Sequence, residues 1–164
     1  MHDKFVLYLN STLAMENAAL ERIQRRVQQT ILEEAKQQLQ HHLEETKEQQ
    51  DRLRQLITKD GGTPTQEKGT LPIALPPESI RKIIERSRGS AEEELMQSVE
   101  DSIVESAEVT GYNLLIQMAQ KMNIGDALPQ LIQSLQEEEK MGGWLRANAP
   151  AMFAKLWPRI ESST

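Results

Sequence analysis

The chain has 164 residues, no cysteine and a formal net charge of −6. Without cysteine, disulfide bonds, thiol catalysis and thiolate metal sites are excluded, and the acidic balance argues against nucleic acid as a partner, since no basic stripe could meet phosphates. There is no run of about 18 apolar residues and no apolar signal-peptide core, so we expect a cytoplasmic protein that does not enter a membrane, folded as one domain over residues 1–164.

The core should be built from aliphatic side chains, because the sequence contains two each of Phe, Tyr and Trp. This composition favours helices over sheets. Apolar residues recurring at intervals of three and four predict a first helix over about residues 3–29 and a second over about 31–59. The link between them is so short that the two helices should pack side by side and antiparallel.

A long crossover is predicted over residues 60–89, where glycine and proline interrupt the periodic pattern. Within it, the stretch from Glu78 to Ser87 suits a short helix. Two further long helices are predicted over about 90–122 and 126–147 from the same apolar spacing. Since each glycine costs up to about 1 kcal/mol inside a helix, we expect Gly142-Gly143 to end or bend the fourth helix and residues 144–164 to contain a short C-terminal helix.

The inner face of each predicted long helix turns polar near its middle. Counted from the two short turns, these positions lie at matching heights, so the side chains should meet in one layer of the bundle. Burying an unpaired carboxylate is costly, and the layer therefore needs a cation, a proton or a hydrogen-bond partner. Carboxylates with an imidazole suit a pair of metal ions, and the candidate ligands are Glu16, His42, Glu45, Glu105, Glu108 and Glu138.

Residues near this layer have less specific interpretations. Tyr112 is one turn beyond Glu108 and is a candidate hydrogen-bond donor to a ligand. His41 lies off the inner face and is expected in solvent, as are Glu137 and Glu139.

In a second interpretation, the protein is the same helical bundle without a bound metal. A single Glu in a Glu-rich helix is most often at the surface, and His42 alone fits a core histidine with a satisfied hydrogen bond. The protein would then be a helical interaction or assembly module whose buried carboxylates are protonated or hydrogen-bonded. Neither interpretation identifies a substrate or decides whether the protein is an enzyme.

One segment resembles a known family. The run His42-Leu43-Glu44-Glu45-Thr46, followed by Gln49, Gln50 and Arg52-Leu53, is similar to the second helix of the YciE/YciF-like family of the ferritin-like superfamily. Weaker matches are Ala14-Met15-Glu16, the segment Val104 to Glu108, Gly111-Tyr112, and Leu135 with Glu137-Glu138. The resemblance covers about residues 5–145. It implies an all-α, ferritin-like four-helix bundle that forms a homodimer, is associated with bacterial stress responses and holds a di-iron-type site.

The chain departs from that family pattern in three places. Ser106 and Ala107 stand where the family tends to have His-Tyr, and Gly142 stands where an acidic residue is usual. The second helix carries His-x-x-Glu in place of the Glu-x-x-His of typical di-iron bundles. The resemblance therefore leaves open whether the site holds iron or another divalent metal, and whether it holds two ions, one or none.

Overall fold

The computed structural model describes residues 2–71, 77–79, 82, 86 and 91–162. Across these residues it contains four long helices and no strand: α1 (His2–Gln29), α2 (Glu33–Lys59), α3 (Ala91–Lys121) and α4 (Leu128–Glu161). The prediction of an all-α four-helix bundle is confirmed. In the same part of the chain, no helix is both long enough and apolar enough to cross a membrane.

The helices pair as two antiparallel hairpins, α1 with α2 and α3 with α4. The hairpins meet where α1 packs on α3 and α2 on α4. One apolar cluster fills the end of the bundle near the α1 N-terminus, around Phe5, Ile57 and Leu131. Two further clusters, around Leu39 and Leu156, lie towards the opposite end. Each fully buried aliphatic or aromatic side chain contributes about 1.5–3 kcal/mol, so the apolar ends stabilise the bundle around its polar middle.

A buried ionic network joins the two hairpins where α1 ends. The Arg26 guanidinium donates from Nη2 to Glu94 Oε1 and from Nε to Asp101 Oδ2, both at 2.8 Å. Arg22 also donates to Asp101, at 2.7 Å. Glu94 in addition accepts hydrogen bonds from the Thr30 hydroxyl and the Ile31 backbone N–H. The turn between α1 and α2 is therefore fixed to the first turns of α3.

The start of the crossover lies against α1. Gly61 has φ of 79°, a left-handed conformation that suits glycine at the end of α2. Asn10 holds the next stretch by accepting from the Thr65 backbone N–H and donating to the Thr63 carbonyl. Farther along, the Gly69 N–H donates to the Ala14 carbonyl at 2.7 Å. Of the predicted short helix, residues 78, 79, 82 and 86 are helical, and the other positions lie outside the described residues.

The predicted end of the fourth helix is wrong. α4 continues through Gly142 and Gly143, and through Pro150 and Pro158, to Glu161, so the described residues contain no separate C-terminal helix. Tertiary burial explains the difference: the extension places Met152 and Leu156 in the apolar cluster with Leu32, Ala35 and Ala91. This burial outweighs a cost of about 1 kcal/mol for each glycine. The first three helices begin and end within about two residues of their predicted bounds.

Candidate metal centre

Five of the six predicted ligands are buried together at the middle of the bundle. Four are carboxylates that come from α1, α3 and α4, and the fifth is a histidine of α2. The exposed fractions of the five residues are Glu16 1%, His42 1%, Glu105 3%, Glu108 1% and Glu138 0%. The sixth, Glu45, lies at the edge of this layer with 13% of its side chain exposed. We call these six residues the central layer.

His42 contacts three carboxylates of the central layer. Its Nε2 atom is 3.3 Å from Glu105 Oε1 and 3.7 Å from Glu138 Oε2. Its Nδ1 atom is 3.3 Å from Glu45 Oε2. One ligand atom from each of His42, Glu105 and Glu138 lies within 4.8 Å of the other two, a spacing that one metal ion can bridge. Burial lowers the pKa of His42, but Glu105 and Glu45 outweigh burial and hold that pKa well above its usual value.

A hydrogen bond from Tyr112 holds the Glu16 carboxylate. The Tyr112 hydroxyl donates to Glu16 Oε1 at 2.6 Å, so Tyr112 is the hydrogen-bond donor that its position in the sequence indicated. Burial raises the pKa of Glu16 to about 7, even though the Tyr112 hydrogen bond and the His42 charge act in the opposite direction. Burial and the nearby Glu16 charge raise the pKa of Tyr112, which therefore remains a neutral donor.

Glu108 and Glu138 are the two remaining buried carboxylates whose pKa values are raised. Burial raises the pKa of Glu108 well above its usual value, and the Glu16 and Glu105 charges raise it further. Burial likewise raises the pKa of Glu138, with added repulsion from Glu108 and Glu105. Because like charges in an apolar interior oppose one another, added positive charge would favour ionisation of Glu16, Glu108 and Glu138.

The layer also contains carboxylate oxygens without partners. Among the described residues, no hydrogen bond reaches Glu16 Oε2, Glu105 Oε2, Glu108 Oε1 or either oxygen of Glu138. Unpaired acceptors of this kind are expensive in a protein interior unless a proton or a cation satisfies them. Four ionised carboxylates carry four negative charges, which two divalent cations would neutralise. The residues present therefore fit a metal pair, with oxygen ligands and one imidazole as hard or borderline cations prefer.

A second polar layer beside Glu16 was not predicted from the sequence. Gln49 is fully buried and donates from Nε2 to Glu137 Oε2 at 3.1 Å. Arg52 donates to both oxygens of Glu137 and to the Ser134 hydroxyl. The expectation that Glu137 faces solvent is therefore wrong, because two side chains of α2 bind it. The feature of the sequence that could have indicated this contact is Gln49, a polar residue on the inner face of α2. The Arg52 charge acts to lower the pKa of Glu16.

Comparison with other proteins shows the fold and the family. No curated protein matches the sequence. The chain is similar to a solved structure from Xanthomonas campestris pv. campestris strain ATCC 33913, with 19% identity, a TM-score of 0.81, and 98% of this chain and 97% of the other covered. It is also similar to YcfI from Rhodopseudomonas palustris, with 23% identity, a TM-score of 0.69, and coverage of 89% and 93%. The family model described as a domain of unknown function, DUF892, matches residues 1–156, and the chain therefore belongs to the DUF892 family.

Proposed function

We propose that this protein is a metal-binding, ferritin-like protein whose central layer holds iron or another divalent cation. The observation that carries the proposal is the set of unpartnered carboxylate oxygens, on Glu16, Glu105, Glu108 and Glu138, buried in one layer with His42. A pair of cations would satisfy these oxygens and remove the repulsion among the carboxylates. The resemblance to the YciE/YciF-like family supports the same function, together with a homodimer in the cytoplasm and a role in stress responses.

The residues around the layer would orient the ligands. Glu105, Glu138 and His42 would hold one ion, since their ligand atoms already lie within 4.8 Å of one another. Glu16 and Glu108 would supply the remaining oxygens, and Tyr112 would fix the Glu16 carboxylate through its hydrogen bond. Iron bound here would supply redox chemistry towards dioxygen or peroxide. The apolar clusters on both sides would keep bulk water from the layer.

A metal-free assembly module is the alternative, and the raised pKa values favour it as a second candidate. With the pKa of Glu16 at about 7 and those of Glu108 and Glu138 well above their usual values, protons can neutralise the layer in place of metal. Ser106, Ala107 and Gly142 remove side chains that the related family tends to have, which also suits a protein that has lost metal chemistry.

Metal content and metal uptake decide between these two functions. Protein purified without chelator is analysed for metal and then titrated anaerobically with Fe²⁺, as wild type, as Glu138→Ala, and as Glu139→Ala. Glu139 is the exposed neighbour of Glu138 and serves as the matched control. We expect uptake by the wild type and by Glu139→Ala, and loss of uptake in Glu138→Ala. Absence of uptake by the wild type would refute the metal-binding function and leave the assembly module.

The thermal unfolding midpoint provides a second measurement. An ion that binds only the folded state at about 100 times its dissociation constant stabilises that state by about 2.7 kcal/mol. The midpoint of the wild type should therefore rise with Fe²⁺ or Mn²⁺, and that of Glu138→Ala should not. An unchanged wild-type midpoint would count against the proposal even if some metal copurified.

A further inference from the structure

A chain of metal-ligating side chains leads from the surface to the central layer. Glu45 Oε1 is 3.0 Å from His41 Nε2, and Glu45 Oε2 is 3.3 Å from His42 Nδ1. The exposed fraction of these side chains falls from 55% at His41 to 13% at Glu45 and 1% at His42. His41 and Glu45 are four residues apart on α2, so they share one face of the helix. The Glu45 carboxylate thus contacts an imidazole in solvent and an imidazole in the core.

Lys140 of α4 lies at the outer end of this chain. Its Nζ atom is 3.4 Å from His41 Nε2 and 3.9 Å from Glu45 Oε1, and 64% of its side chain is exposed. A cation approaching Glu45 from solvent meets the lysine ammonium at the same carboxylate oxygen. Like charges this close repel each other, so Lys140 has to move aside before a metal ion can bind Glu45.

Along the axis of the bundle, apolar side chains separate the central layer from both ends of the molecule. The apolar clusters around Phe5 and Leu39 close the layer towards the two ends of the bundle. A hydrated cation crossing them would lose its water with nothing to replace it, at a high cost in desolvation. Along His41, Glu45 and His42, in contrast, an imidazole nitrogen or a carboxylate oxygen is available at each step.

We propose that His41 and Glu45, the outermost residue of the central layer, form the entry route for divalent cations to the buried ligands of that layer, with Lys140 as a tethered cation that controls access to them. This inference rests on the proposed metal-binding function and adds to it how the ion arrives. Three side chains would act in order: His41 captures the ion from solvent, Glu45 accepts it as Lys140 withdraws, and His42 receives it in the core. His41 and Lys140 then affect the rate of loading, whereas the central layer determines how many ions are held.

Cobalt loading followed by stopped-flow absorbance tests this route, because Co²⁺ gains visible absorbance when it binds imidazole and carboxylate ligands. The test variants are His41→Ala and Lys140→Gln. The control for the histidine is His2→Ala, at a 68% exposed position where α1 begins. The control for the lysine is Lys155→Gln, at a 51% exposed position where the lysine pairs with Glu34. Thermal melts of the metal-free variants verify that each one folds.

We expect His41→Ala to slow Co²⁺ loading about tenfold. Removing a group that contacts a metal ligand typically lowers metal affinity or activity by about 10- to 100-fold, and tenfold is the lower end of that range. Lys140→Gln should accelerate loading by about thirtyfold, since an ammonium group and a doubly charged cation about 4 Å apart in water repel each other twice as strongly as two unit charges do. That acceleration should shrink at about 0.5 M salt, where a surface charge is screened. Neither variant should change the final number of Co²⁺ ions bound, and both controls should load as the wild type does.

Each other outcome overturns a defined part of the reasoning. If the wild type loads and both test variants load at its rate, the entry route is wrong and the metal centre stands. If His41→Ala binds fewer ions at the end point, His41 is a resident ligand and the route is again wrong. If the wild type binds no Co²⁺, the metal-binding function fails and the entry route fails with it.

Discussion

Replacing Glu16 with Gln should remove much of the pH dependence of stability in the metal-free protein. Burial raises the pKa of this carboxyl from 4.5 to about 7 in the folded state. Below pH 4.5 the group is protonated in both states and adds no pH dependence. Between pH 4.5 and about 7 the folded state keeps a proton that the unfolded state loses, so the free energy of unfolding falls as pH rises.

The size of the effect follows from the two pKa values. At about 1.4 kcal/mol for each pH unit, Glu16 alone lowers the free energy of unfolding by about 3 kcal/mol between pH 4.5 and 7. Glu108 and Glu138 act in the same direction, since their pKa values are also raised. His42 adds a loss of stability as pH rises through its own raised pKa, which lies above 6.5. Metal-free protein should therefore be most stable in mild acid.

Urea unfolding of chelator-treated protein at pH 5 and pH 8 measures this difference. Glutamine cannot ionise, and its side-chain oxygen can still accept the Tyr112 hydrogen bond. Between pH 5 and pH 8, the free energy of unfolding of Glu16→Gln should therefore fall by about 2–3 kcal/mol less than that of the wild type. Glu44→Gln is the control, because this side chain is 66% exposed and pairs with Lys47 on the surface. If Glu16→Gln loses as much stability as the wild type, Glu16 is not the buried, proton-binding carboxyl described above.

Two further predictions concern stability away from the central layer, and urea unfolding measures both. Arg26→Met should destabilise the protein by about 3–5 kcal/mol, because it leaves the buried Glu94 carboxylate without a cation and leaves Asp101 with Arg22 alone. Arg25→Met, at a 61% exposed position, should cost less than about 1 kcal/mol, and equal losses would contradict this account. Gly143→Ala should stabilise the folded protein by about 1 kcal/mol, since alanine favours a helix over glycine and a Cβ atom at this position meets nothing within 4 Å. Destabilisation would show that α4 is strained at this glycine.

The sequence was sufficient to predict four long helices, apart from the C-terminal extension of α4, and to indicate that polar residues lie near the middle of the bundle. Both depend on spacing within one helix and on the short turns, which place Glu16 and Glu45 level on α1 and α2, and Glu108 and Glu138 level on α3 and α4. Whether the two pairs would also meet each other depended on how the hairpins dock. The structure brings them together, with His42 contacting carboxylates from α3 and α4.

Features that depend on contacts between helices could not be predicted in this way. The sequence predicts Glu137 as a surface residue of α4, and its contacts with Gln49 and Arg52 depend on α2 lying beside it. The continuation of α4 was missed for a similar reason. Local propensity disfavours Gly142 and Gly143, while the burial that stabilises the helix lies about three turns farther on, at Met152.

The candidate ligands are divided equally between the two hairpins. The first supplies Glu16, His42 and Glu45, and the second supplies Glu105, Glu108 and Glu138. Neither half of the molecule contains all six candidate ligands, so an ion held by the full set would be retained only while both halves are docked. The free energy of coordination would then oppose separation of the halves without strengthening either one internally. Release of the ion and opening of the bundle would be linked events.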